Sequence, residues 1–248
     1  MREFDVGAVT RLEAQVRAVL TKSSKNRDSV LNALDPTVRD VDMRSTSLGR
    51  MTAVAANYLL GLVVIREHLL HFNWWDEKFG SGLTNDQKMA DVSGFYSALS
   101  FGTFQAAFSV LEATIRRILY TFDASACDES TGGYWTVRKH LFDNHLDLEQ
   151  SQFSTLFQLL SVIRNCIHNH GVYRDIRNRK LTLEFDGNRY TFLHGVRINC
   201  LQPENLIGFV GAMGDVMFDI ISDQNALSLP FVEDEYEKLG THDTIEKI

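Results

Sequence analysis

Proline is scarce in this 248-residue chain, with three in all, Pro36, Pro203 and Pro230. Helices are therefore interrupted at few points, and helix-period patterns run through most of the sequence. Cysteine is equally sparse. Cys127, Cys166 and Cys200 are odd in number and far apart, which argues against a disulfide framework and suits a reducing compartment. The N-terminal stretch MREFDVGAVTRLEAQ has charges where a secretory signal needs an apolar segment, so a cytoplasmic protein is expected. The most apolar run, 51–65 (MTAVAANYLLGLVVI), is short for a membrane span, contains Asn57 and meets Arg66, Glu67 and His68 at once. It is expected to be a buried bundle helix, with no membrane association. Familiar reaction chemistry is missing too. Gly80-Ser81-Gly82 lacks the lysine and following helix of a phosphate-binding loop. No serine sits in a nucleophile elbow, and no cysteine has an evident triad setting.

A hydrophobic share of 44% excludes disorder as the general state. The pattern predicts a mainly α fold: a bundle of at least four helices with a small inserted β-hairpin. Val9, Leu12, Val16, Val19 and Leu20 mark an amphipathic helix over 8–22. A polar stretch follows, then a weaker helical segment at 28–34 that stops before Pro36. Residues 1–45 are read as an N-terminal helical extension. The bundle is expected over 46–225, with helices at 48–72, 88–122, 135–146, 150–170 and 203–222. The segment HFNWWDEKFGSGLTNDQK between the first two is read as an aromatic-rich loop. Within 88–122, Ser93-Gly94 is the point at which a break would fall. RKLTLEF and NRYTFLHG flank Asp186-Gly187, a strong turn signal, so a hairpin is expected at about 180–194. Residues 226–248 read as an acidic tail.

The most chemistry lies in 161–173, SVIRNCIHNHGVY. With about 100° per residue counted from Phe153, the apolar positions Leu156, Phe157, Leu160, Ile163 and Ile167 share one face. Arg164 lands at about 20°, on that same face, and His168 at about 60°. A guanidinium directed at a core costs several kcal/mol, on the order of 3–5, unless it is paired or opens onto a site. Gly171 is a natural helix-ending residue, which puts His168 and His170 in the last turn, where the helix dipole favours an imidazolium. Net charge is −7 overall, yet from Arg164 to Arg197 seven Lys/Arg face three acids, a local +4 that leaves −11 elsewhere. Arg174, Arg177, Arg179 and Lys180 lie in that stretch. It can hold a phosphate backbone or form a solvated hairpin surface. Glu112 lies about 80° from Phe104 on its helix, at the edge of an apolar stripe. It can serve as the carboxylate partner of Arg164 or pair with Arg116 one turn on.

The run Arg164-Asn165-Cys166-Ile167-His168-Asn169-His170-Gly171 resembles the signature of HEPN domains, small helical bundles found in many RNA-cutting toxins and antiphage systems. Arg164, Asn165 and His170 match it with a gap of five residues, within that family's roughly four-to-six-residue gap. His168 gives a gap of three, which departs from the commonest spacing. The resemblance implies a metal-independent endoribonuclease of toxin–antitoxin or antiphage type, with Arg164, His170, His168 and Asn165 as catalytic residues and Glu112 as a supporting polar partner. It implies no cofactor, an RNA substrate, a homodimer with two signatures lining one groove, and an antitoxin or other protein partner. RNA supplies its own nucleophile, the 2′-hydroxyl. A histidine suits proton transfer, and a fixed guanidinium suits phosphoryl charge. The rival reading is a catalytically silent helical interaction module, with Arg164 and Glu112 as a structural pair.

No metal site is expected from sequence. Cys166, His168 and His170 are spaced two apart, about 200° on a helix, and cannot converge on one ion. His140 and His145 have no neighbouring ligands in sequence and read as surface or core-edge residues.

Overall fold

The computed structural model describes residues 6–127, 133–200 and 202–234. The fold is mainly helical with one two-stranded antiparallel sheet, a helical bundle carrying a β-hairpin. The elements in chain order are α1 (Val6–Ala33), α2 (Met43–Val64) running into a π turn (Ile65–Leu69), α3 (Phe72–Phe79) and α4 (Asn85–Phe122). A 3₁₀ turn (Ala124–Cys127), α5 (Tyr134–Asn144) and α6 (Gln150–His168) follow. The chain then forms β1 (Leu181–Phe185), β2 (Asn188–Phe192), α7 (Pro203–Ser222) and α8 (Gln224–Ser228). Two compact units divide these elements, and each draws on three separate stretches of chain.

The first unit takes residues 1–22, 52–108 and 153–213. Its core is the apolar stripe the periodicity indicated: Leu12, Val16, Leu62, Phe104, Phe108, Phe157 and Ile163 are all buried. Gly61 lets α2 approach α4 so closely that a Cβ there would sit 2.3 Å from a Leu99 methyl. Charged groups tie the edges: Arg66 Nη1 donates to Glu13 at 2.7 Å, and Lys88 Nζ to Asp76 at 2.7 Å. The stretch expected as an aromatic loop contains α3, ended by Gly80 at φ 77°. Trp75 is buried and its indole N–H donates to the Leu69 carbonyl at 2.8 Å. The aromatic residues supply the buried face that so short a helix needs. In the hairpin Leu183 pairs with Tyr190, and the turn residues Asp186 and Gly187 have φ of 48° and 70°. Both left-handed centres are what an Asp-Gly hairpin turn requires.

The second unit takes 23–51, 109–152 and 214–248, described here to Asp234. Asp42 and Arg44 are among its buried charged residues, 0% and 1% exposed. Arg44 Nε and Nη2 donate to the two Asp42 carboxylate oxygens at 2.8 and 2.6 Å. Arg44 Nη1 donates to the carbonyls of Ala226 and Leu229 at 2.8 and 2.9 Å. Asp42 in turn accepts from the Val232 N–H at 3.1 Å and from the Arg44 N–H at 2.9 Å. That last bond starts α2 at Met43, five residues before the periodicity places it, because an aspartate satisfies the free N–H groups of a helix start. A cation in the first helical turn opposes the helix dipole, and the adjacent carboxylate offsets it.

Three further differences from the sequence reading have local causes. The segments 8–22 and 28–34 are one helix, α1, because the intervening TKSSKNRDS holds no glycine or proline and Ser23 is itself buried. α4 runs unbroken through Ser93-Gly94, the cost of one glycine, about 1 kcal/mol, being small beside the burial of its long stripe. The chain after 222 forms α8, capped by Asp223, which accepts from the N–H groups of Asn225 and Ala226. The acidic tail from 235 onward and residues 128–132 lie outside the described residues. Two helical stretches, Met43–Leu69 and Pro203–Ser222, are long and apolar enough to cross a membrane by length and composition, a test that core helices also pass.

Breaking the Arg44–Asp42 pair leaves the buried Asp42 carboxylate without its charged donor and the carbonyls of Ala226, Leu227 and Leu229 without theirs. Arg44→Met should cost about 3–5 kcal/mol of stability in denaturant unfolding. A loss below about 1 kcal/mol would mean that the pair is dispensable.

Candidate functional site at the end of α6

α6 buries Leu156, Phe157, Leu159, Leu160, Ile163 and Cys166. Arg164 lies half-buried beside this stripe, its guanidinium carbon 5.1 Å from the centroid of the Phe108 ring. A cation over an aromatic face is held electrostatically, an interaction worth about 0.5–2 kcal/mol. Both residues belong to the first unit. Asn165 and His168 are exposed, whereas Cys166 between them is 1% exposed. Burial pushes the Cys166 thiol up to about 11, so it remains protonated and is a poor nucleophile or metal ligand at neutral pH.

The helix ends in an unusual way. Asn169 N–H donates to the carbonyls of Asn165 and Cys166 at 3.1 and 3.0 Å, and Gly171 N–H donates to the Cys166 carbonyl at 2.7 Å. This closure needs left-handed backbone, and it occurs at two successive residues, His170 at φ 56° and Gly171 at φ 81°. Sequence reasoning put only the glycine there. A non-glycine residue in that conformation costs about 1–2 kcal/mol. His170 therefore leaves the helical path, and its imidazole is exposed.

Beyond Gly171 the chain is fastened to the far side of the hairpin. Ile198 N–H donates to the Gly171 carbonyl at 2.8 Å, and Tyr173 N–H to the Val196 carbonyl at 3.1 Å. This brings exposed Arg197 beside the helix end, its Nε 3.4 Å from where a Gly171 Cβ would stand. Asp175 organises the next turn. Its carboxylate accepts the N–H groups of Arg177 and Arg179 at 3.0 Å each, and the Arg179 guanidinium at 3.3 Å. The hydrogen bond from the Arg179 side chain, more than any other contact, lowers the Asp175 carboxyl to about 2. The Asp175 N–H donates to His194 Nδ1 at 3.1 Å. Arg174, Arg177 and Lys180 are exposed and, among the described residues, form no ion pair.

The residues singled out belong to two compact units. Arg164, Asn165, His168, His170 and the basic run 174–180 belong to the first unit, where Arg197, counted in the basic stretch but not named as a site residue, and His194, passed over in the sequence, join the same stretch. Those two come from beyond the hairpin, and only the pairing of 171–173 with 196–198 brings them in. Glu112 belongs to the second unit, where its Oε1 accepts from Arg116 Nε and Nη2 at 3.1 and 2.8 Å. His140 and His145 do have a carboxylate neighbour, Asp123, which sequence reasoning missed. No known protein-family model, curated protein or solved structure matches the chain.

The strain at His170 separates stability from function. His170→Gly should leave stability unchanged or raise it by about 1 kcal/mol, while His170→Ala should not gain. Thermal unfolding of the two variants checks this. A glycine variant less stable than the alanine one would mean that the left-handed residue is not under strain.

Proposed function

We propose that the chain is a metal-independent endoribonuclease whose site is the C-terminal end of α6, with Arg164, His170, His168 and Asn165 as its residues. The single observation that carries the reading is His170: an exposed imidazole kept in a strained left-handed conformation where glycine would be easier. Strain of that kind is tolerated where the side chain has a task. The arrangement suits transfer within RNA itself. His170 takes the proton of a 2′-hydroxyl, and the 2′-oxygen attacks the adjacent phosphorus. Arg164 stabilises the charge gathered on the phosphoryl oxygens, and the 5′-oxygen leaves with a proton from solvent or His168. The products are a 2′,3′-cyclic phosphate and a 5′-hydroxyl. Arg174, Arg177, Arg179, Lys180 and Arg197 supply phosphate contacts along the strand and offset the negative end of the helix dipole. The biological setting in this reading is cytoplasmic toxin–antitoxin or antiphage defence, with an antitoxin or other protein restraining the enzyme.

A homodimer belongs to the same proposal, since one arginine and one histidine form a thin catalytic set and two copies line a composite groove. The second reading, a silent interaction module, is favoured by the Arg164–Phe108 stacking and the Glu112–Arg116 pair, both of which give these charges a structural role.

Incubation of purified protein with total RNA in chelator separates the two. The wild type should cut, and Arg164→Ala and His170→Ala should each lose about 10²–10⁴-fold in rate, with His168→Ala losing less. An inactive wild type sinks the nuclease reading. Full loss on His168→Ala with none on His170→Ala reverses the order of the two histidines. Sedimentation at micromolar concentration should give a dimer, and a strict monomer that still cuts RNA would refute the composite groove.

A further inference from the structure

The geometry points to a second site, a mononuclear divalent transition-metal site formed by Asp123, His140 and His145 in the second unit. It goes beyond the ribonuclease reading and does not depend on it, because none of its residues belongs to the α6 end.

Asp123 follows the last residue of α4. Its Oδ1 accepts the Ser125 N–H at 3.0 Å and the Ser125 hydroxyl at 2.6 Å, which fixes the carboxylate with Oδ2 toward His140 Nε2 at 3.5 Å. Those Ser125 bonds hold its carboxyl below the usual range. His140 and His145 are five residues apart, about 140° on a continuous helix, so a regular α5 would point them in different directions. α5 instead ends at Asn144, and His145, at φ −130°, departs from it. The two rings come to 5.4 Å between centroids.

His145 lies flat on the Phe122 ring, centroids 4.9 Å apart and planes 13° from parallel. Its Nε2 is buried and has no hydrogen-bond partner. Burial, more than the nearby His140, lowers its pKa. One ligand atom from each of the three residues lies within 4.8 Å of the others. Tetrahedral coordination at zinc bond lengths needs about 3.4 Å between ligand atoms. The Asp123–His140 distance already meets this, and a side-chain rotation of about an ångström closes the rest. Two imidazoles and one carboxylate suit Zn²⁺, Co²⁺ or Ni²⁺ rather than Mg²⁺ or Ca²⁺. The side chains of His140 and Asp123 are 39% and 35% exposed, which leaves the ion a path in and a position for water. A simple His140–Asp123 ion pair accounts for two of the three residues and leaves His145 Nε2 unexplained.

Co²⁺ titration of the full chain in a phosphine-reduced buffer tests the site by its visible absorption, with Zn²⁺ as competitor. The wild type should bind one Co²⁺ per chain, displaced by Zn²⁺, and Zn²⁺ should raise its Tm. Asp123→Asn, His140→Gln and His145→Gln should each weaken binding at least about tenfold. Cys166→Ser should bind as the wild type does. Circular dichroism without metal identifies the folded variants, and the half-exposed pair Asp123→Asn and His140→Gln decides if His145→Gln fails to fold. A wild type that takes up no Co²⁺ or Zn²⁺, or folded variants that bind as it does, would overturn the site. RNA cleavage that survives the same three substitutions would leave the α6 proposal intact, so the two proposals fail separately.

Discussion

The carbonyl of Cys166 is the point from which the candidate site is built. It accepts the N–H of Gly171, and that single closure forces the left-handed turn at His170 and Gly171. Without it the helix would continue, His170 would stay on the helical path about 240° around from Arg164, and the chain would not turn toward the hairpin. With it, Val172 and Tyr173 pair with the segment at 196–197, Asp175 meets His194, and Arg179 is held by Asp175. The positions of the histidines and of the basic run thus have a common backbone cause.

Arg164 illustrates how a charge is placed on an apolar face. The flat guanidinium lies over Phe108, so its stem and face satisfy the packing while the residue stays half-buried. Arg44, fully buried, has instead a carboxylate and three carbonyls around it.

The parts of the fold legible in the sequence are those whose signal is local. Pro203 opens α7, and its stripe runs to Ser222 as the period indicates. Asp186-Gly187 marks the hairpin turn, and the strands fall within the expected span. α6 and its mixed face also follow from spacing alone. What the sequence hid was tertiary in origin. α3 exists because Trp75 packs and its N–H finds the Leu69 carbonyl. The early start of α2 depends on a carboxylate that also serves residues 226–232 through Arg44. The Asp123–His140–His145 group joins a helix end to a helix that begins eleven residues later, and it appears only because His145 leaves α5. In the candidate site, the arginine and histidines were legible, but the left-handed turn at His170 was not, since histidine carries no signal for it.

The central claim is that the α6 end cuts RNA by using the 2′-hydroxyl of the strand. The most direct measurement compares an RNA oligonucleotide that the protein cuts with the same strand carrying one 2′-deoxy nucleotide on the 5′ side of the scissile phosphate. The account predicts that cleavage at that phosphate disappears while flanking sites are cut as before, and that the unmodified strand yields a 2′,3′-cyclic phosphate. Equal cutting of the 2′-deoxy strand would contradict it, because the attacking oxygen would then come from water or from the protein.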